Sequence, residues 1–244
     1  MLKFMDTSKA FSRGLWLNTG SVTAAEIAAE AGFDWLLVDC EHGLNDENTL
    51  REILRAVAQK CAVLVRIPDH ASPLLERSLD FGAAGIVAPG VSSAVQAATL
   101  TARMAYPPKG NRSVASSCRA AAFGRNAKEY LTTANQQLVL ICQIEDARGV
   151  AQAGEIAAVD GVAGLFLGHS DLSMNLGVFG QWDCPQVKNA ETAVLEACRI
   201  YGKMPGMLMK SGRDVAHYLA EGFRMIGLGS DSGILKSGCD KLLK

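Results

Sequence analysis

Residues 14–43 read GLWLNTGSVTAAEIAAEAGFDWLLVDCEHG. A short apolar run (14–18) gives way to residues with helical spacing, and a second apolar run (34–39) ends in a polar turn. Thr23-Ala-Ala-Glu26 has the form of a capping box that opens a helix, and Gly32 supplies its stop. An open doubly wound sheet would carry a glycine-rich GxGxxG turn after its first strand. LNTGSVTA (17–24) does not supply one.

The same alternation continues along the chain. Further strand candidates are AVLVRI (62–67), GIVAP (85–89), LVLICQIE (138–145), GLFLG (164–168), PGMLM (205–209) and MIGLG (225–229), eight in all with the two above. NTLREILRAVAQ, PLLERSLDFG, AVQAATLTARMA and VKNAETAVLEACRIYG read as amphipathic helices between them, and Ser211-Gly-Arg-Asp214 as a weaker capping box opening another. Eight short runs, each followed by a helix, predict an α/β fold, a parallel (β/α)8 TIM barrel. With 244 residues and no composition shift or linker, 1–244 is expected to form a single domain. The one long irregular connection, Tyr106 to about Tyr130, reads as a functional loop or a lid.

Composition excludes several classes of function. The formal charge is -1 and is spread along the chain, so no basic stripe supports a nucleic-acid partner. Charges interrupt MLKFMDTSKAFSRG too early for a secretory signal, and no run approaches the length of a membrane helix. The expectation is a soluble cytoplasmic protein with no membrane partner. Seven cysteines without a CxxC pair, such as Cys61, Cys142 and Cys198 in apolar segments, read as reduced packing residues.

In such a barrel the C-terminal strand ends form the rim that carries chemistry, and alternate strand residues face inward. Gln143 and Glu145 therefore share a face at the end of the fifth strand, while GLFLGHSDLS delivers Asp171 just past the sixth. Two neighbouring carboxylates repel unless a cation lies between them, and oxygen ligands favour a hard divalent ion, Mg²⁺ or Mn²⁺. The plainer alternative makes each acid a helix N-terminal residue. In VDCEHG, His42 beside Asp39 suits proton transfer, with Glu41 the alternative acid. Arg66 ends the third strand, there either to meet a substrate carboxylate or enolate oxygen, or to form an ion pair with Asp39.

The motifs GLWLNTGSVTAAEIAAEAGFDWLLVDCEHG, VLVRIP, YPPKGNRSV, QIED, GHSDLS and GFRMIGLGSD occur in one order from about Gly14 to Leu235. In that combination the chain resembles the HpcH/HpaI aldolase family, the metal-dependent class II pyruvate aldolases. The resemblance implies cleavage of 4-hydroxy-2-oxoacids to pyruvate and an aldehyde, with small-molecule substrates and a divalent metal, Mg²⁺ or Mn²⁺ first and Co²⁺ or Zn²⁺ as further candidates. It implies Glu145 and Asp171 as metal ligands, His42 with Asp39 as the acid/base unit, and Arg66 on the substrate oxo oxygen. Gln143 would contact the oxoacid, and the backbone at Gly168 and Ser170 the pyruvate carboxylate. It also implies a homo-oligomer, a hexamer, with a C-terminal helix exchanged between subunits and Asp80 approaching a neighbour's site.

His169 and Lys210 depart from the family pattern. His169 is open to reading as a third ligand, a substrate contact or an unliganded rim histidine. Lys210, at the end of the seventh strand, could bind the far end of an acidic substrate or, as an alternative mechanism, form a Schiff base. Other readings are a citrate-lyase-like acyl-CoA lyase and a non-catalytic oxoacid-binding barrel. GLGSDSG (227–233) suggests a phosphate site, but Asp231 opposes it, and a tight turn capped by Ser230 or Asp231 is the simpler account.

Overall fold

In the computed structural model, which describes Met5, residues 10–210 and residues 214–244, all strands are parallel and close on themselves in sequence order. They are β1 (Ser12–Leu17), β2 (Trp35–Asp39), β3 (Ala62–Arg66), β4 (Gly85–Ala88), β5 (Val139–Ile144), β6 (Val162–Leu167), β7 (Met204–Leu208) and β8 (Met225–Ser230), with β8 pairing back to β1. Each expected run lies within two residues of the observed strand. The helices are α1 (Val22–Glu30), α2 (Glu47–Val57), α3 (Leu74–Phe81), α4 (Ala94–Met104), α5 (Ala127–Gln137), α6 (Ala147–Ala151), α7 (Ala153–Ala158), α8 (His169–Asn175), α9 (Pro185–Tyr201), α10 (Val215–Glu221) and α11 (Asp231–Leu242). The chain is a (β/α)8 barrel of one domain.

The two-residue strand period divides the core in two. Trp35, Leu37, Leu64, Val87, Ile141, Phe166 and Met225 fill the barrel. Their alternates, including Leu36, Val38, Val63, Val65, Cys142 and Leu165, pack outward beneath the helices. Gly14, paired in register with Trp35, makes room for the indole: a Cβ there would lie 2.1 Å from the ring. Continuing the inward series upward reaches Asp39 after Leu37 on β2, Arg66 after Leu64 on β3, and Gln143 then Glu145 after Ile141 on β5. The alternation that fills the core below delivers polar groups at the rim above.

Local signals hold with corrections. The cap of α1 is Ser21, whose hydroxyl accepts from the Ala24 N–H at 3.1 Å, so Thr23 lies inside the first turn. Ser211 lies outside the described residues, whereas Asp214 does cap α10, accepting from the His217 N–H at 2.9 Å. Ser230 caps α11, and Asp231 instead accepts from the amides of Asn18 at 2.8 Å and Thr19 at 3.2 Å. That acid occupies amides which a phosphate would need. All the cysteines are free, with Cys61, Cys142 and Cys198 buried.

The long connection is shorter than expected and sits at the other end of the barrel. Its last part enters α5 at Ala127, preceded by a 3₁₀ segment, Arg119–Gly124. Because α4 runs antiparallel to the strands, the chain leaves it at their N-terminal ends. There Arg119 donates to the Phe81 carbonyl at 2.9 Å and Tyr130 to the Leu79 carbonyl at 3.3 Å. A cavity of about 930 Å³ opens at this lower end, lined in part by Ala62, Ala84, Phe123 and Tyr130. Residues 106–126 therefore do not form a lid over their own chain's rim.

Candidate active site

Arg66 is the organising group of the rim. It is in register with Asp39 across β2 and β3, and the pair is bidentate, Nε to Oδ1 at 2.8 Å and Nη2 to Oδ2 at 2.7 Å. Nη1 forms an ion pair with Glu41 Oε2 at 2.8 Å, and the guanidinium lies 4.5 Å over the Trp16 ring. The side chains of Arg66 and Asp39 are 6% and 1% exposed. Burial would raise the Asp39 carboxyl, but the Arg66 bonds and charge outweigh it and hold the group below the usual carboxylate range. The structural ion pair thus exists. Two of the five N–H groups of the guanidinium are hydrogen-bonded, both to Asp39; the contact of Nη1 with Glu41 is ionic only, which leaves three N–H groups for another oxygen.

The expected His42–Asp39 side-chain pair does not form. Asp39 Oδ1 takes the backbone N–H groups of Glu41 and His42 at 3.1 and 3.2 Å, and Arg66 fills the rest of the carboxylate. The imidazole is 67% exposed and has Glu41 as its acid, Nε2 to Oε2 at 3.8 Å. Burial raises the Glu41 carboxyl, and the charges of Arg66 and His42 oppose that rise.

On β5, Gln143 Nε2 donates to Glu145 Oε2 at 2.8 Å, and the Gly90 N–H donates to Oε1 at 2.5 Å. Burial pushes the Glu145 carboxyl up to about 7, reinforced by the negative charges of Asp171 and Glu41 and opposed by the Gly90 bond. Capping of α6 falls to Asp146, which accepts from the Gly149 N–H, so Glu145 is free of that duty. Asp171 is exposed in the first turn of α8, a favourable dipole position that still leaves its carboxylate available. Gly168 precedes it; a Cβ there would come within 2.5 Å of Glu145 Oε2 and 2.8 Å of Gln143 Nε2. Ser170 is exposed beside Asp171.

Glu41, Glu145 and Asp171 therefore converge on one rim, each close enough to perturb another. Gln143 Oε1 is buried with no hydrogen-bond partner among the described residues. No cluster of three or more histidine, cysteine, aspartate or glutamate ligands occurs among those residues. The Glu145 and Asp171 carboxylates could hold a metal, with its other positions open to water or substrate. That donor set fits a hard divalent ion.

Two other residues lie elsewhere. His169 is buried and faces α9, its Nε2 2.8 Å from Glu191 Oε1. Burial lowers its pKa, against the Glu191 bond, so it is a neutral structural histidine and neither a ligand nor an open rim group. Glu191 was not anticipated, although an acid within the buried stripe Val187, Ala190, Val194 and Cys198 was a usable signal. Asp80 sits near the end of α3, at the far end of the barrel, and pairs with the fully buried Arg112 at 2.6 Å. It makes no part of its own chain's rim.

Comparison with known proteins identifies the family. The family model described as HpcH/HpaI aldolase/citrate lyase matches residues 12–237. A 5-keto-4-deoxy-D-glucarate aldolase of Enterobacter sp. is 34% identical over 96% of this chain and 92% of its own length. A hydroxypyruvate/pyruvate aldolase of Deinococcus radiodurans is 39% identical over 91% of this chain and 80% of its own. The crystal structure of an HpcH/HpaI aldolase/citrate lyase family protein from Burkholderia cenocepacia J2315 superposes with a TM-score of 0.93 and 36% identity, covering 99% of this chain and 96% of that one. The chain belongs to the HpcH/HpaI aldolase/citrate lyase family.

Proposed function

We propose that this protein is a metal-dependent aldolase that cleaves, or forms, 4-hydroxy-2-oxoacids, with pyruvate and an aldehyde as the fragments. The observation that carries the reading is the pairing of an acidic site, Glu145 with Asp171, and a buried guanidinium, Arg66, on one barrel rim. The aldolase names of the relatives support it.

Glu145 and Asp171 would hold the ion, Mg²⁺ or Mn²⁺. When bound, it would supply Lewis-acid stabilisation of negative charge on the oxoacid oxygens. In the cleavage direction, the C3–C4 bond breaks and its electron pair passes into the pyruvate enolate, whose oxygen receives N–H groups of Arg66 that Asp39 does not take. The C4 hydroxyl proton goes to His42, directly or through a water, with Glu41 stabilising the imidazolium that results. The buried Gln143 is positioned by Glu145 and offers its free carbonyl oxygen to the bound oxoacid. Gly168 and the backbone around Ser170 meet the pyruvate carboxylate. Transfer of that proton from the His42 imidazolium, directly or through water, to the enolate carbon then yields pyruvate and restores the neutral histidine.

Pyruvate release from a panel of 4-hydroxy-2-oxoacids, with and without chelator, tests the proposal. Turnover that disappears with chelator and returns with Mg²⁺ or Mn²⁺ is expected; turnover indifferent to chelator contradicts it. His42→Ala is expected to retain pyruvate binding and lose about 10²-fold in cleavage. A turnover unchanged from the parent in a coupled pyruvate assay would remove His42 from the mechanism.

We also propose a homo-oligomer, hexameric on the family pattern. On α11, Ile234, Leu235 and Leu242 are largely exposed, which suits a C-terminal helix exchanged between subunits. Among the described residues no helix is long and apolar enough to cross a membrane.

A further inference from the structure

Lys210 follows β7, whose ladder continues one residue past the strand through the Met209 N–H to the Gly227 carbonyl at 2.8 Å. Its backbone N–H donates to the Tyr218 hydroxyl at 3.1 Å, so the residue is anchored at the rim. Its ammonium rests 4.1 Å from the centroid of the Trp182 ring, and that indole is itself braced edge-on against Phe179. Other shielded cations end on oxygen acceptors. Arg66, Arg103, Arg112 and Lys188 each have a carboxylate oxygen at 2.6 or 2.7 Å, and Lys203 donates to the Val162 carbonyl at 2.7 Å. Lys210 has no carboxylate in ion-pair contact, and no hydrogen-bond acceptor for its ammonium, among the described residues.

A half-buried ammonium on an aromatic face retains three N–H donors and is stabilised by the ring only modestly. The Asp171 and Glu191 charges act on it through space without touching it, and burial lowers its pKa to about 8 against their pull. β7 pairs with β6, whose upper end leads into α8 and Asp171, so Lys210 stands on the β6–β7 side of the rim.

We infer that Lys210, seated on Trp182, anchors an anionic group at the far end of the aldehyde fragment, a carboxylate being the charge that one ammonium balances. This inference rests on the proposed aldolase function and adds to it a residue that sets the preference for the aldehyde fragment.

The test compares condensation of pyruvate with succinic semialdehyde and with uncharged butanal, using metal-loaded protein and its Lys210→Met and Lys210→Arg variants. Lys210→Met should lower kcat/KM for the semialdehyde about 10- to 100-fold, mainly through KM, and change butanal less than about threefold. Lys210→Arg should restore part of the preference. An unchanged ratio between the two aldehydes, or an equal fall for both, overturns the inference. So does a borohydride-trapped pyruvate adduct on Lys210, because that residue would then be a nucleophile.

A second readout does not depend on turnover: quenching of Trp182 fluorescence by succinic semialdehyde alone, with Trp182→Phe isolating its signal from Trp16 and Trp35. Saturable quenching that weakens in Lys210→Met supports the anchor. Quenching independent of Lys210 overturns it, even if neither aldehyde is condensed and the aldolase function itself fails.

Discussion

Glu145→Gln is expected to lower cleavage of 4-hydroxy-2-oxoacids by about 10³-fold and to remove Mn²⁺ binding, while leaving the barrel folded. The substitution keeps the side chain's shape and an acceptor for the Gly90 N–H, but it removes the charge that balances a divalent ion. Stability should move the other way. The Glu145 carboxyl titrates at about 7 in the fold against an ordinary 4.5, mainly because burial disfavours its charge. Between those values the folded state holds the extra proton. The stability it confers is therefore complete below about pH 4.5 and lost as pH rises through 7. Metal-free parent protein should weaken over that window, whereas metal-free Glu145→Gln should not, leaving the variant ahead at pH 8 by on the order of 2–3 kcal/mol. Urea denaturation in chelator at pH 5 and pH 8 measures this. A variant less stable than the parent at pH 8, or one that still binds Mn²⁺ normally, would count against Glu145 as an ion-holding carboxylate.

The second large effect concerns Arg66, where structural and chemical roles coincide and must be separated. Arg66→Ala leaves the Asp39 carboxylate, 1% exposed, without its bidentate partner. An abandoned buried charge typically costs about 3–5 kcal/mol, so this variant should show a large fall in denaturation midpoint as well as loss of turnover. Arg66→Met combined with Asp39→Leu removes both charges and should recover most of that stability, since an apolar pair can replace a buried ion pair. Turnover should remain down by about 10²- to 10³-fold, because the donors facing the enolate oxygen are gone. If the double variant regains turnover along with stability, Arg66 serves the fold alone.

The contrast between Arg66 and His42 marks how far the rim was legible in advance. That Arg66, Gln143 and Glu145 face inward follows from a strand period of two, which is local. Which acid each base takes does not. Asp39 and Arg66 meet because β2 and β3 pair in a register that sets them opposite each other, and this bidentate pair leaves His42 to Glu41. Distances between strands, which no local pattern carries, decide that choice.

His169 illustrates the same limit on a helix. It lies two residues from Asp171, yet successive helical residues turn about 100°, so the two point to nearly opposite sides of α8. One reaches the rim and the other enters the layer against α9, where Glu191 receives it. Asp80 and residues 106–126 fell on the lower face for a topological reason: each helix returns the chain to the N-terminal ends of the strands. The length of that connection was visible in the sequence, but which end of the barrel it occupies was not.

The sequence by itself determined the strand and helix order, the closed parallel barrel and the set of polar residues available at its rim. These follow from periodicity, caps and the chain-order constraint that makes neighbouring runs pair. Only the tertiary structure decided that Arg66 bridges Asp39 and Glu41, that Glu145 is shielded enough to hold its proton near neutrality, and that Lys210 settles on Trp182. Those outcomes depend on inter-strand register and on how much water the packed rim excludes. Both are set by contacts between segments far apart in the chain.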